Sequence, residues 1–137
     1  MQEETTYDLA IIGGGLAGLS LSIQIAKAGY KTILFEKEKY PFHRVCGEYI
    51  SYESWNFLES LGLDLNSLNV SHIKRLELSD MKGKLLEQKL PLGGFGVSRY
   101  TLDNQLAQIA KHSRVILLEE TRVNDTQFLN DEFMIDS

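Results

Sequence analysis

Short apolar runs alternate with helical periods along the first third of the chain. Leu9-Ala10-Ile11-Ile12 predicts a strand. After three glycines, Leu16, Leu19, Ile23 and Ala26 recur at spacings of three and four, which predicts a helix with one face on a sheet. Gly29 is placed to stop that helix, and Thr32 to Phe35 predicts a second strand. No steady period follows, so Pro41 to Gly47 is expected as a loop. Ser51 is placed to cap a helix over Tyr52 to Leu61, with Trp55, Leu58 and Leu61 on one face and Gly62 at its end. Ile73 to Ser79 alternates as a strand and pairs with Leu85 to Leu90 across Met81 to Lys84; Pro91 and Gly93-Gly94 then break the pattern. Thr101 caps a helix to about His112, with Leu102, Leu106, Ile109 and Ala110 on one face. Val115 to Leu118, wholly apolar, suits a buried parallel strand. Arg122 to Phe128 and Glu132 to Ile135 predict a hairpin turning near Asn130-Asp131.

The strand–glycine–helix–strand stretch from Asp8 to Lys37 carries chemistry. Gly13, Gly15 and Gly18 have the G-x-G-x-x-G spacing, and Glu36 closes the next strand. This combination is a dinucleotide fingerprint. Gly13 permits a sharp turn, Gly15 lets a pyrophosphate approach the backbone, and Gly18 lets the helix pack closely on the strand. The helix N-terminus presents N–H groups and a positive dipole end to the phosphates. Glu36 can accept from a ribose diol and would repel a 2′-phosphate, which points to FAD or NAD rather than NADP.

Composition narrows the class. The 137 residues, 43% hydrophobic and 24% charged, suit one ordinary domain. A net charge of −5 without a basic run argues against nucleic acid as partner. Cys46 is the single cysteine, which fits a reducing cytoplasm. The apolar, glycine-rich stretch Leu9 to Ile23 is too short to span a membrane, and the preceding Glu3 and Glu4 do not suit a signal peptide. No His, Cys or carboxylate spacing suggests a metal. His43, His72 and His112 are expected to be solvated, and Trp55 and Phe57 to belong to the core.

Three segments together resemble a known family. The fingerprint, the loop Tyr40-Pro41-Phe42-His43-Arg44-Val45-Cys46-Gly47-Glu48 and the run Ser98-Arg99-Tyr100-Thr101-Leu102-Asp103 are similar to the N-terminal part of FAD-dependent oxidoreductases of the p-hydroxybenzoate hydroxylase group. Within that group the geranylgeranyl reductase branch is the most similar. Phe42 stands where that branch commonly has arginine, and Gly47-Glu48 is similar to a pair in flavin-dependent halogenases.

The resemblance implies an α/β fold: a Rossmann-like FAD-binding domain of three layers, with a central parallel sheet and a β-meander, incomplete at the C-terminus. Residues 1–137 would form the N-terminal part of that domain, with 63–98 an excursion into the start of a substrate domain. Gly13, Gly15, Leu16, Ala17 and Gly18 would hold the pyrophosphate of FAD, and Glu36 with Lys37 would meet the adenosine ribose. Arg44, Cys46 and Gly47 would serve the flavin side, Arg99 the dinucleotide, and the backbone of Val123 the adenine. From the residues alone, Arg99 could equally pair with Asp103, and Cys46 beside Arg44 could be reactive or inert packing.

The activity this implies is FAD-dependent oxidation or reduction of a small organic substrate, isoprenoid or aromatic, with no catalytic residue assigned. A monooxygenase or halogenase branch, a non-catalytic dinucleotide-binding module and an NAD-binding domain are the competing readings. Enzymes of the group are longer, so the chain alone is expected to be inactive. The strand at Leu9, central in the family's sheet, would then present an edge suited to self-association.

Overall fold

The computed structural model describes residues 6–46, 48–129 and 132–136. The chain divides into two compact units, Met1–His43 with Tyr100–Ser137 and Arg44–Arg99.

The first unit is built on a parallel three-stranded sheet of β1 (Leu9–Ile12), β2 (Thr32–Phe35) and β6 (Ile116–Leu118), in the order β1-β2-β6. Leu9 is level with Thr32, and Ile33 with Ile116. All four residues of β2 are buried, as its central place requires. Helix α1 (Leu16–Lys27) crosses back over β1 and β2 and buries Leu19, Ser22 and Ile23. Its buried stripe follows the predicted period, and Ser22 satisfies its hydroxyl by donating to Leu19 O at 2.8 Å. The helix ends at Ala28, and Gly29 takes the left-handed turn at φ +95°.

Among the described residues β1 pairs with β2 alone, so it stands at the edge of the sheet, as expected for this chain, with Ile12 56% exposed. β6 is parallel as expected but is not buried: Ile116 and Leu118 are 46% and 37% exposed, while Val115 just before the strand is buried. An apolar run specifies which residues could be covered, not how many faces find cover.

Helix α3 (Arg99–His112) buries Leu102, Asp103, Leu106, Ala107 and Ala110. It starts two residues before the expected cap, so Thr101 lies inside its first turn. The hairpin of β7 (Asp125–Leu129) and β8 (Glu132–Asp136) has Asp125 opposite Asp136. Its first strand starts at Asp125 rather than Arg122, and the expected turn at Asn130-Asp131 lies outside the described residues.

The second unit holds β3 (Tyr49–Ser51), β4 (Ser71–Ser79) and β5 (Leu85–Gly96), antiparallel in the order β3-β5-β4. The turn between β4 and β5 is built by Asp80, whose carboxylate accepts from Lys82 N and Lys84 N at 2.9 and 2.8 Å. Gly83 adopts φ +80° there. β5 runs on through Pro91 and Gly93-Gly94, where the local pattern predicts a break. Leu90 to Gly93 stand opposite Lys74 alone, so the strand bulges where proline could not join the ladder. Gly94 then lies between Ser51 and Ile73, and a Cβ on it would come within 2.5 Å of Ile50 O and the Tyr49 ring. Glycine there admits the third strand.

Helix α2 (Trp55–Leu61) follows a short 3-10 turn over Tyr52–Ser54, whose Ser51 cap accepts from Glu53 N. Leu58 and Leu61 are buried and Gly62 closes the helix at φ +111°. Trp55, Tyr52, Phe95 and His72 form an aromatic cluster, with Trp55 edge-on to Phe95 at 5.0 Å. His72 is exposed, as expected, while its Nδ1 is hydrogen-bonded to the Tyr52 hydroxyl and its ring stacks on Tyr52. Phe57 is 42% exposed and lies outside the core expected for it.

Candidate functional site: a clamped glycine turn

β1 ends into Gly13, whose N–H still donates to Phe35 O at 2.8 Å and whose φ of +101° demands glycine. A Cβ there would meet nothing within 4 Å, so that side of the turn is open. Gly15 is the N-cap of α1, at an ordinary φ of −78°. The helix's first N–H groups have no intrahelical partner by geometry, no side chain caps them, and no acidic residue lies in the first turn. Leu16, Ala17 and Gly18 form that turn. Gly18 packs so closely that a Cβ would sit 2.0 Å from Gly13 O. The predicted close helix–strand approach is thus present.

Between these lies Gly14, which the spacing rule passes over. Its N–H donates to Glu36 Oε2 at 2.8 Å, and its carbonyl accepts from the Tyr40 hydroxyl. A Cβ on Gly14 would fall 2.0 Å from that hydroxyl and 3.0 Å from Glu36 Cβ. The three consecutive glycines were the signal in the sequence; only the third dimension shows why the middle one must be bare.

Glu36 is 2% exposed. Its Oε2 holds Gly14 and its Oε1 accepts from Glu38 N at 3.0 Å. Its backbone is tied as well: its N–H donates to Leu118 O, and its carbonyl accepts from Thr121 N at 2.9 Å. That last bond brings the segment leading to half-buried Val123 alongside the end of β2. Lys37 is exposed next to it. The first unit therefore brings together Gly13, Gly15, Leu16, Ala17, Gly18 and Glu36 around one turn. Arg44, Cys46 and Arg99 belong to the second unit, and Gly47 lies outside the described residues. Cys46 is exposed and its sulfur accepts from Glu48 N at 3.3 Å. His43 stacks on Tyr100 at 4.7 Å, a partner its exposed loop position did not suggest.

Tyr40, part of the loop motif but without a role assigned from sequence, is held from behind. Its N–H donates to Glu119 Oε1 at 2.9 Å, and Glu119 Oε2 meets Lys111 Nζ at 2.6 Å. Burial works to raise the Glu119 pKa, but the Lys111 bond, the Tyr40 N–H and the charges of Lys111 and Lys39 outweigh it, so the carboxyl stands below its ordinary value of 4.5. A carboxyl depressed in the folded state stabilises the fold above the unfolded pKa and loses that contribution as pH falls through the folded one. Lys111 is 39% exposed, so solvent screening limits the pair to about 1 kcal/mol at most. Thermal melts of the chain and of Glu119→Gln should accordingly differ above about pH 5 and converge in acid. A gap that persisted or widened in acid would contradict this account.

A turn with no room for a Cβ at Gly14 or Gly18, an uncapped helix N-terminus and a fixed carboxylate fit the pyrophosphate and ribose of a dinucleotide. Comparison with known proteins agrees. The model of the FAD binding domain family matches residues 8–43, which contain every element of this turn and Tyr40. A digeranylgeranylglycerophospholipid reductase of Methanococcus vannielii is 33% identical over 93% of this chain and 34% of its own length. Conditioned medium factor receptor 1 of Dictyostelium discoideum is 26% identical over 92% of this chain and 28% of its own. The structure of a flavin-dependent brominase superimposes with a TM-score of 0.78 at 22% identity, covering 94% of this chain and 33% of that one. The chain thus spans about a third of the length of these relatives.

The fold is α/β with a parallel sheet, as in the solved flavoprotein structures it resembles, and its glycine turn lies within the stretch that the FAD binding domain family model matches. The matched family model supports FAD as the cofactor of this turn. Among the described residues no group of His, Cys, Asp and Glu could hold a metal, and no helix is long and apolar enough to cross a membrane.

Proposed function

We propose that the chain is the N-terminal, FAD-holding part of an FAD-dependent oxidoreductase of the geranylgeranyl reductase type, acting on an unsaturated isoprenoid. The observation that carries the FAD assignment is the glycine turn clamped to Glu36 beneath an uncapped helix N-terminus. The isoprenoid reading rests on the 33% identity to the archaeal reductase along nearly the whole chain. FAD, when bound, supplies the hydride chemistry, and the protein's task is to bind and orient it.

In this reading Gly15, Leu16, Ala17 and Gly18 offer backbone N–H groups to the pyrophosphate. Glu36, at the end of β2 and bonded to the glycine turn, would meet the adenosine ribose. Lys37 and the backbone of Val123 serve the adenosine end, Arg44, Cys46 and Gly47 the flavin, and Arg99 the dinucleotide. A halogenase is the second reading, favoured by Gly47-Glu48 and by the likeness to the brominase fold.

Titration of the purified chain is expected to quench FAD fluorescence with saturation, while NADP does not compete, because Glu36 would meet its 2′-phosphate. Failure to bind FAD, or competition by NADP, would refute the cofactor assignment. The branch is tested on the longer enzyme proposed to contain this segment, loaded with FAD and given a reductant with an unsaturated isoprenoid lipid, or a reductant with halide, oxygen and an activated aromatic ring. Loss of double bonds supports the first reading; a halogenated ring supports the second.

A further inference from the structure

The two peptide planes flanking Gly14 are oriented by partners inside the unit. Both peptides are trans, so within each the C=O and N–H point in opposite directions. In the Gly13–Gly14 peptide the N–H is turned to Glu36 Oε2, and Gly13 O accordingly faces Gly18, where a Cβ would touch it. In the Gly14–Gly15 peptide the carbonyl is turned to the Tyr40 hydroxyl in a buried bond. The Gly15 N–H must therefore point away from Tyr40, out of the buried side of the turn.

We propose that Tyr40 is a positioning residue for the cofactor: its hydroxyl fixes the Gly14–Gly15 peptide so that the Gly15 N–H faces the pyrophosphate. This inference rests on the FAD reading above and goes beyond it by assigning a residue outside the glycine motif. Glycine is the residue whose peptide planes rotate with the least steric resistance, and Gly13-Gly14-Gly15 has three in succession. Such a turn needs outside partners to hold one orientation before the ligand arrives. Tyr40 is itself anchored, through the Tyr40 N–H to Glu119 and from Glu119 to Lys111, so the orientation is passed from α3 and the end of β6 to the turn.

Tyr40→Phe keeps the ring and removes the hydroxyl. The FAD Kd of this variant is expected to rise about tenfold. Competition against FAD supplies the readout that general loosening would not reproduce: ADP, which carries the pyrophosphate, should weaken by the same factor, while adenosine should compete as well as before. Unchanged FAD and ADP affinity would overturn the proposal, and so would an equal loss for adenosine and ADP. Should Tyr40→Phe fail to fold, Glu119→Ala decides, because it frees the Tyr40 N–H and leaves the hydroxyl in place. The same selective loss for ADP, about threefold, is expected, and no loss or an unselective one would overturn the proposal. If the unaltered chain binds no FAD, the cofactor reading fails and this inference with it; if it binds FAD and the variants bind equally well, only the inference fails.

Discussion

Gly18→Ala is expected to reduce FAD affinity at least about a hundredfold and to destabilise the fold, although alanine is the better helix former. Alanine would gain roughly 1 kcal/mol in helix propensity. Against that, its Cβ would lie 2.0 Å from Gly13 O, 3.2 Å from Gly13 C and 3.3 Å from Ile11 Cγ2. The first two are backbone atoms of the turn itself, so no flexible side chain can give way. Either α1 lifts from β1 or the turn opens, and overpacking of this kind costs about 1–3 kcal/mol. Both movements displace the N–H groups of the first helical turn from the phosphates, and small misplacements in such a site have large effects. Flavin fluorescence titration and a thermal melt measure the two consequences. Wild-type affinity in a variant of wild-type stability would show that the close approach at Gly18 is not needed.

Glu36→Ala is expected to destabilise the FAD-free chain by about 3 kcal/mol as well as to abolish FAD binding. The substitution leaves the Gly14 N–H, whose bond is buried, without its acceptor, and removes the part-buried bond of the Glu38 N–H. Each buried donor left unsatisfied costs about 1–3 kcal/mol. A carboxylate serving the ribose alone would lower FAD affinity and leave the apoprotein's stability untouched. Urea unfolding in the absence of FAD separates the two: an unchanged midpoint would remove Glu36 from the clamp and leave it only a ligand contact.

Legibility from the sequence followed the range of the interactions. Leu9–Ile12, Leu16–Lys27 and Thr32–Phe35 were readable because apolar periodicity, glycine and strand length are properties of neighbouring residues. The start of α3 was misplaced because Thr101 has cap chemistry, yet the helix takes in Arg99 and Tyr100 before it. β5 was cut short for a related reason. Proline and glycine end strands by local rules, but at Pro91 to Gly94 the chain bulges and then passes between β3 and β4, where a glycine is what the crowding permits. β3 itself, three residues long, has no pattern to read and exists because β5 pairs with it.

At the site the division is similar. Spacing alone marked Gly13, Gly15, Gly18 and Glu36, since the turn, the helix start and the acid at the end of the next strand are set by chain geometry over one strand–helix–strand unit. What the tertiary structure decided is how that turn is held. Gly14, Tyr40 and Glu119 are 26 and 79 residues apart along the two hydrogen bonds that join them. No periodicity records such contacts, because they depend on where β6 and the loop after β2 come to rest. The sequence thus determined which ligand the turn suits, through residues close in the chain; folding determined which peptide groups are turned inward and which are left facing outward for that ligand.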